Sequence, residues 1–168
     1  MLIIFSGLPG SGKSAIARIL AKQLGAVYLR IDTIEQAIRE TENEDNDMGP
    51  TGYFVAYALA RENLRIGLTV ITDSVNPMQL TRDAYRDVAL SGSTQFLEIE
   101  VICSDQTEHR SRVENRKTDI QGLDLPDWEA VINREYEQWD RDHLILDSSK
   151  LSVSQSVEKV IETIRQAH

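Results

Sequence analysis

The residues best suited to do chemistry lie near the start of the chain. They form one uninterrupted run: Gly7, Leu8, Pro9, Gly10, Ser11, Gly12, Lys13 and Ser14. This run is the complete G-x-x-x-x-G-K-[ST] pattern, in which backbone N–H groups surround phosphate oxygens and a lysine adds positive charge at the β- and γ-phosphates. We expect all eight residues to bind a nucleotide, with Lys13 also catalytic and the Ser14 hydroxyl on Mg²⁺.

Two other interpretations of these glycines are weaker. A simple glycine turn between a strand and a helix does not require lysine and serine in register with the glycines. A Rossmann dinucleotide loop has G-x-G-x-x-G spacing, and the positions at which that spacing needs glycine hold Phe5 and Pro9. The pattern therefore favours a phosphate-binding loop.

Two carboxylates follow predicted strands, at the edge where open α/β sheets bind their ligands. Asp73 follows the apolar run 70–72 and is a candidate Mg²⁺ ligand, directly or through water. The alternative for Asp73 is a turn or capping residue. Asp32 follows the second predicted strand and is a candidate base, because a carboxylate can accept the proton of a hydroxyl that attacks the γ-phosphate. Asp32 and Glu35 also match a capping box, which is the alternative for that residue.

The densest basic stretch of the chain lies in its second half. Arg112 and Arg116 are four residues apart on one face of a predicted helix, so both are candidates to stabilise charge on a transferring phosphoryl group. The alternative is a solvated helix in which Glu108 pairs with Arg112. Arg134 is a weaker candidate in the following helix. His109 is interpreted as a surface histidine without a role.

The apolar pattern predicts strands that alternate with helices. Predicted strands cover about residues 2–5, 26–29, 68–72, 96–103 and 144–146. Predicted helices cover about residues 13–24, 32–39, 52–65, 77–90, 105–117, 126–139 and 153–164, with Asn76 and Thr51 as caps and an acidic loop over 40–52. Such alternation implies a mostly parallel sheet covered by helices on both faces.

Length and composition limit the class of protein. The chain has 168 residues, 41% hydrophobic and 27% charged, which fits a single domain over 1–168. Its 18 basic and 27 acidic residues give a net charge of -9, which disfavours a broad electrostatic contact with nucleic acid or anionic lipid. The single cysteine, the absence of a long apolar run and the absence of a basic leader predict a cytoplasmic protein.

Together these motifs resemble those of small P-loop kinases, a group that includes polynucleotide 5′-kinase domains, zeta toxins, gluconate kinase, chloramphenicol phosphotransferase and bacterial proteins labelled AAA-family ATPases. The resemblance rests on 7–14, Asp32, 72–77 and 110–116, and it covers nearly the whole chain. It implies a three-layer α/β fold with a five-stranded parallel sheet in the order 2-3-1-4-5, as in adenylate kinase, and a helical lid over about 105–139.

The same resemblance implies ATP as phosphate donor and a role for each matching residue. Lys13 and Ser14 match the nucleotide and Mg²⁺ ligands, Asp32 the acid that activates the acceptor, and Arg112 or Arg116 the lid arginine. One departure concerns polynucleotide kinases, which carry an arginine shortly after the catalytic aspartate. Residues 33–36 hold none, which, together with the net charge, disfavours a nucleic-acid 5′ end as acceptor.

We therefore expect an ATP-dependent phosphotransferase that moves the γ-phosphate of Mg·ATP to a hydroxyl of a small molecule. The helix after Asp32, the acidic loop over 40–47 and the helix from Gly52 would select the acceptor. Two alternatives stay open: a nucleotide-dependent switch without an acceptor, and a polynucleotide 5′-kinase. A translocating AAA motor is disfavoured, because the chain has no room for the additional helical domain.

Overall fold

A five-stranded sheet lies at the centre of the fold, and the computed structural model describes residues 1–41 and 49–166 around it. The strands are β1 (Leu2–Ser6), β2 (Val27–Arg30), β3 (Val70–Asp73), β4 (Phe96–Ile102) and β5 (Leu144–Asp147). All neighbouring strands are parallel, and their order is β2-β3-β1-β4-β5. The predicted parallel sheet and its strand order are confirmed.

Helices cover both faces of this sheet. They are α1 (Lys13–Leu24), α2 (Ile31–Thr41), α3 (Thr51–Arg65), α4 (Gln79–Ser91), α5 (Gln106–Asn115), α6 (Trp128–Ile132) and α7 (Val153–Gln166). Side chains of β1 alternate between the two faces: Ile3 and Phe5 pack with α1 and α7, whereas Leu2 and Ile4 pack with α3 and α4. Burial on both faces explains why β1 is a continuous apolar run rather than an alternating one. No helix in the described ranges is long and apolar enough to cross a membrane.

The strand register brings the predicted site residues to one edge. Phe5 of β1 and Arg30 of β2 both lie opposite Asp73 of β3. The phosphate-binding loop, which follows β1, therefore begins beside Asp73, and Asp32 follows β2 at the same edge of the sheet. This edge is the carboxyl end of parallel strands, where α/β folds bind ligands.

Two predicted helix N-caps are wrong. Strand β2 runs directly into α2 at Ile31, so Asp32 lies inside the first turn and does not cap the helix. Asn76 does not cap α4 either, because its backbone is left-handed (φ 48°) and its side-chain amide donates to Ser6 Oγ over 3.0 Å. The N-cap of α4 is Met78.

The acidic loop predicted over 40–52 is only partly described. Helix α2 continues through Thr41, and α3 begins at Thr51 with Pro50 as its N-cap, so the predicted Thr51 cap is also wrong. Residues 42–48, which hold most of the predicted loop, lie outside the described residues.

The helix predicted over 126–139 is wrong beyond Ile132, and the cause is the buried side chain of Arg82 in α4. Its guanidinium donates hydrogen bonds of 2.8–3.4 Å to the carbonyl oxygens of Asn76, Pro77, Glu137 and Gln138. It also lies against the rings of Tyr136 and Trp139, at 5.0 and 4.3 Å from their centres. Because the carbonyls of Glu137 and Gln138 bind Arg82, they are directed away from the backbone hydrogen bonds that a helix would need.

Candidate active site

The phosphate-binding loop is shaped by glycine at the point where it leaves β1. Gly7 has a φ of 140°, its N–H donates to Val75 O over 3.1 Å, and a Cβ at this position would overlap the carbonyl oxygen of Val101. Only glycine fits there. The loop then enters α1, whose first N–H groups have no acceptor inside the helix and are directed at the space in front of the loop.

Helix α5 packs directly on this loop. Gly10 has a φ of 82°, and a Cβ there would lie 2.5 Å from a methyl group of Val113. His109 Nε2 lies 2.8 Å from the carbonyl oxygen of Pro9, and its ring meets Trp128 edge to face. The prediction that His109 is a surface residue is wrong: it is buried and positions the loop.

Lys13 is the cation at the centre of the loop. Its side chain is buried, with 8% of the residue exposed, and burial lowers the pKa of its ammonium group. Asp73 and Asp32 oppose that shift by their charge. Within the described part of the chain Lys13 forms no ion pair at 4.0 Å or less. A buried cation that no carboxylate neutralises is suited to bind a phosphate group.

The side chain of Asp73 fits a place in the water shell or coordination sphere of Mg²⁺. The residue is 2% exposed; Tyr28 donates a 2.5 Å hydrogen bond to Oδ2, while the buried Oδ1 has no partner. Mg²⁺ prefers oxygen ligands and takes few from the protein. The described residues contain no cluster of three or more metal-ligating side chains, so the oxygens of Ser14 and Asp73 would act together with phosphate oxygens and water.

A cleft of about 840 Å³ opens between the loop, α2 and the segment after α5. Its described basic residues are Lys13, Arg18, Arg30, Arg39, Arg112, Arg116, Lys117 and Arg134, and its acidic residues are Asp32, Glu35, Asp119 and Asp124. Among the described lining residues, eight positive charges against four negative ones sum to +4, in a chain whose net charge is -9. Such a cleft attracts anions.

Asp32 lines this cleft together with Lys13. Its carboxylate lies 3.7 Å from a guanidinium nitrogen of Arg30. Glu35, one turn further along α2, is half-buried, and burial followed by the charge of Asp32 raises the pKa of its carboxyl group. Glu35 also lines the cleft and also has a cationic neighbour, since a guanidinium nitrogen of Arg39 lies 3.8 Å from its carboxylate.

The two predicted lid arginines have different surroundings. Arg112 pairs with Glu108, donates to Ser148 Oγ over 2.7 Å and lies close to Gly12. The Glu108 pair considered as the alternative is thus present, and Arg112 nevertheless lines the cleft. Arg116 follows the last residue of α5 and has only a long contact of 3.5 Å to Pro126 O, while burial lowers the pKa of its guanidinium.

Three cleft residues were missed by the sequence analysis. Arg18 and Arg30 each donate to the carboxylate of Asp119, over 2.7 and 2.8 Å. Arg30 could have been suspected, because it ends an otherwise apolar strand two residues before Asp32. Asp119 carries no such signal, since its partners lie 89 and 101 residues away along the chain.

Most of the predicted site residues meet in this one cleft. Gly10, Gly12, Lys13, Ser14, Pro9, Asp32, Arg112, Arg116 and Arg134 all line it. Gly7, Ser11 and Asp73 are buried next to it. Leu8 instead packs with Val113 and Trp128, so it supports the loop from the side of α5.

The chain is similar to several known proteins. The model of the AAA domain family matches residues 2–134. Cytidylate kinase of Sulfurisphaera tokodaii is 27% identical over 88% of this chain and 94% of its own length. A Pseudomonas aeruginosa protein named probable adenylyl-sulfate kinase is 34% identical over 104 residues, which are 56% of this chain and 45% of that protein.

A crystal structure from Chloroflexus aurantiacus, described as that of a candidate kinase, has the same fold. Its TM-score is 0.78 with 20% identity, over 99% of this chain and 97% of that one. The family match covers well over half of the chain and includes the loop, Asp32, Asp73 and both predicted lid arginines. The chain therefore belongs to the AAA domain family, and its fold and phosphate-binding loop are those of the small P-loop kinases.

Proposed function

We propose that this protein is an ATP-dependent phosphotransferase that moves the γ-phosphoryl group of Mg·ATP to a hydroxyl group of a small molecule. One observation carries the proposal: Asp32 and Lys13 line the same cleft. A loop that only binds and releases nucleotide needs no carboxylate there. A kinase needs one, to receive the proton of its acceptor.

The donor would lie on the loop and the start of α1. Backbone N–H groups of Gly10 and of residues 12–14 would bind its phosphates, and Lys13 would neutralise charge at the β- and γ-phosphates. Ser14 and Asp73 would hold Mg²⁺, which when bound neutralises phosphate charge and orients the γ-phosphoryl group. The buried Asp73 oxygen without a partner supports this assignment.

The acceptor hydroxyl would lie at Asp32. Its oxygen forms a bond to the γ-phosphorus, its proton passes to the Asp32 carboxylate, and the bond from the γ-phosphorus to the bridging oxygen breaks, which releases ADP. Arg116 would stabilise the charge on the transferring group, because its guanidinium is half-buried in the cleft and has no carboxylate within 4.0 Å among the described residues. Arg112 would act beside it, at the Gly12 end of the loop.

Segment 105–139 would act as a lid over this site. It supplies Arg112, Arg116 and Asp119 to the cleft. Covering the cleft would exclude water, which competes with the acceptor for the γ-phosphoryl group. The two relatives described above are named as kinases, which supports a transferase over a nucleotide-dependent switch.

The proposal is tested by ATP consumption with a panel of sugars, nucleosides, nucleotides, hydroxy acids, antibiotics and short oligonucleotides. We expect one class of small hydroxyl compound to stimulate ADP formation and to gain a phosphate detectable by mass spectrometry. In Asp32→Asn, transfer to that acceptor should fall by about 10²- to 10⁴-fold, while affinity for a non-hydrolysable ATP analogue stays the same.

Asp87→Asn is the matched control, since Asp87 is an exposed carboxylate of α4 away from the cleft. Full transfer by Asp32→Asn would contradict the role given to Asp32. Nucleotide binding with slow hydrolysis and no stimulation by any acceptor would support the switch instead. Stimulation by oligonucleotides alone would identify a polynucleotide 5′-kinase.

A further inference from the structure

Two arginines and one carboxylate form a bridge across the acceptor side of the cleft. Arg18 comes from α1, Arg30 from the end of β2, and Asp119 from the segment after α5. Each Asp119 oxygen accepts a hydrogen bond from one arginine, at 2.7 and 2.8 Å. The neighbouring Gly122 lies against Gln36 of α2, so this segment covers the space in front of α2. Two guanidinium groups that share one planar carboxylate form a site for an oxyanion.

The bridge is easy to break. The side chains of Asp119 and Arg18 are 52% and 49% exposed, and an ion pair at such exposure contributes little stability. Arg30 is different, since only 13% of its side chain is exposed and its buried Nε has no hydrogen-bond partner. A buried guanidinium needs an anion, but nothing requires that anion to be Asp119.

The position of Arg30 connects this site to the reaction. One of its terminal nitrogens binds Asp119, and the other lies 3.7 Å from the Asp32 carboxylate. An anion that replaced Asp119 on Arg30 would therefore lie beside Asp32. Under the proposed function, on which this step rests, Asp32 marks where the acceptor hydroxyl lies.

We propose that Arg30 and Arg18 bind an oxyanion of the acceptor, and that the Asp119 carboxylate occupies this site when no acceptor is present. The acceptor is then a small compound that carries a hydroxyl group and, a few atoms away, a carboxylate, sulfate or phosphate group. Its oxyanion displaces Asp119 from the arginines. A neutral sugar or nucleoside would leave Asp119 in place, and Arg30 would not contribute to its affinity.

The charges around the bridge agree with this assignment. Among the described residues, Asp119 and Asp32 are the carboxylates within 4.0 Å of Arg18 and Arg30, so an acceptor oxyanion that displaces Asp119 would replace its negative charge. Arg39 and Arg134, the other arginines on this side, face the Glu35 carboxylate, which offsets part of their charge. Arg30 and Arg18 are thus the pair whose carboxylate is exposed enough to leave.

The test measures binding of three probe anions (acetate, methyl sulfate and methyl phosphate) by titration calorimetry. Saturating Mg²⁺ and a non-hydrolysable ATP analogue are present, so that the phosphate-binding loop is already filled. In Asp119→Asn we expect at least one probe to bind about two- to fivefold more tightly, the factor that corresponds to loss of an exposed ion pair. The probe with the largest gain distinguishes carboxylate, sulfate and phosphate chemistry.

Asp124→Asn is the matched control, because Asp124 lies on the same segment, lines the cleft and has no ion pair within 4.0 Å among the described residues. It should leave probe affinity unchanged. Arg30→Gln should weaken binding of the same probe about tenfold or more. Arg18→Gln, at a residue whose side chain is 49% exposed, should weaken it severalfold, and circular dichroism checks that each variant folds.

Three results would overturn the proposal: equal gains in Asp119→Asn and Asp124→Asn, weaker probe binding in Asp119→Asn, or probe binding that disappears when the ATP analogue is bound. The measurement involves no turnover and is therefore independent of phosphate transfer. Transfer to a neutral acceptor that Arg30→Gln leaves intact counts against the oxyanion site alone. Tighter probe binding in Asp119→Asn without transfer to any acceptor counts against the kinase alone.

Discussion

The donor half of the cleft, formed by residues 7–14 and α5, is held by buried contacts. Gly10 packs against Val113, and His109 bonds to the Pro9 carbonyl beneath Trp128. The acceptor half, formed by Arg18, Arg30, α2 and residues 117–126, is held by ion pairs. Two of these ion pairs join Arg18 and Arg30 to the exposed carboxylate of Asp119.

Under the proposed function, this difference would let one small domain hold two substrates. Buried contacts are costly to open, so we expect α5 to stay packed on the loop when a nucleotide binds. Exposed ion pairs exchange readily with anions in solution, so the acceptor half can change its partner. Changes to the loop cation, to the packing of α5 on the loop and to the exposed bridge test that contrast.

The largest effect is expected from removing the loop cation. Lys13→Ala should reduce affinity for a non-hydrolysable ATP analogue about hundredfold, because several charge-assisted contacts to the phosphates are lost together. Titration calorimetry measures it, with Lys22→Ala, an exposed lysine of the same helix, as the control. Equal affinities of the two variants would contradict the donor half as the nucleotide site.

A smaller effect is expected from loosening α5 on the loop. Gly10→Ala should lower the free energy of unfolding by about 1–3 kcal/mol, because the new methyl group meets Val113 in a left-handed backbone. Gly67→Ala is the matched control, since Gly67 has nearly the same φ (83°, against 82°) but no atom within 4 Å of its Cβ position. Urea unfolding measures both.

The double variant Gly10→Ala with Val113→Ala separates strain from overlap. It should recover part of the stability lost in Gly10→Ala, because the overlapping methyl group is gone. If Gly67→Ala is as destabilising as Gly10→Ala, backbone strain alone accounts for the loss and the packing of α5 on the loop contributes nothing.

The smallest effect is expected from the exposed bridge. Arg18→Gln should lower the free energy of unfolding by less than about 1 kcal/mol, and by less still in high salt, which screens exposed charges. Arg61→Gln, at an exposed arginine of α3, is the control for loss of a surface charge. A loss as large as that of Gly10→Ala would mean that both halves of the cleft are held equally firmly.

The sequence predicted the donor half well because its signals are local. Strand β1, the loop and α1 follow one another within 24 residues, and the glycines, Lys13 and Ser14 stand in register. The strand order came from the resemblance rather than from the residues. Asp32 lies in the cleft although the alternative capping role is wrong, because a residue that follows a parallel strand reaches the same edge either way.

The parts that the sequence could not predict depend on distant partners. The spacing of Trp128, Tyr136 and Trp139 is nearly helical, yet only Trp128 lies in a helix, because Arg82 binds the two other rings and the backbone between them. His109 was predicted to be a surface residue, but it is buried against Trp128, which lies 19 residues further along the chain. Nothing local indicates that Asp119 meets Arg30 across 89 residues.

The hydrogen bonds that Arg82 donates to four carbonyls limit how residues 117–126 can move. After residues 117–126, the chain is held to α4 because the buried Arg82 guanidinium binds the carbonyls of Glu137 and Gln138. Before them, it is held to the phosphate-binding loop by His109. We expect a segment that is held at both ends to bend in its middle rather than to rotate away about one hinge. Under the proposed function, displacement of Asp119 would admit the acceptor from the side of the cleft while the donor site stays covered.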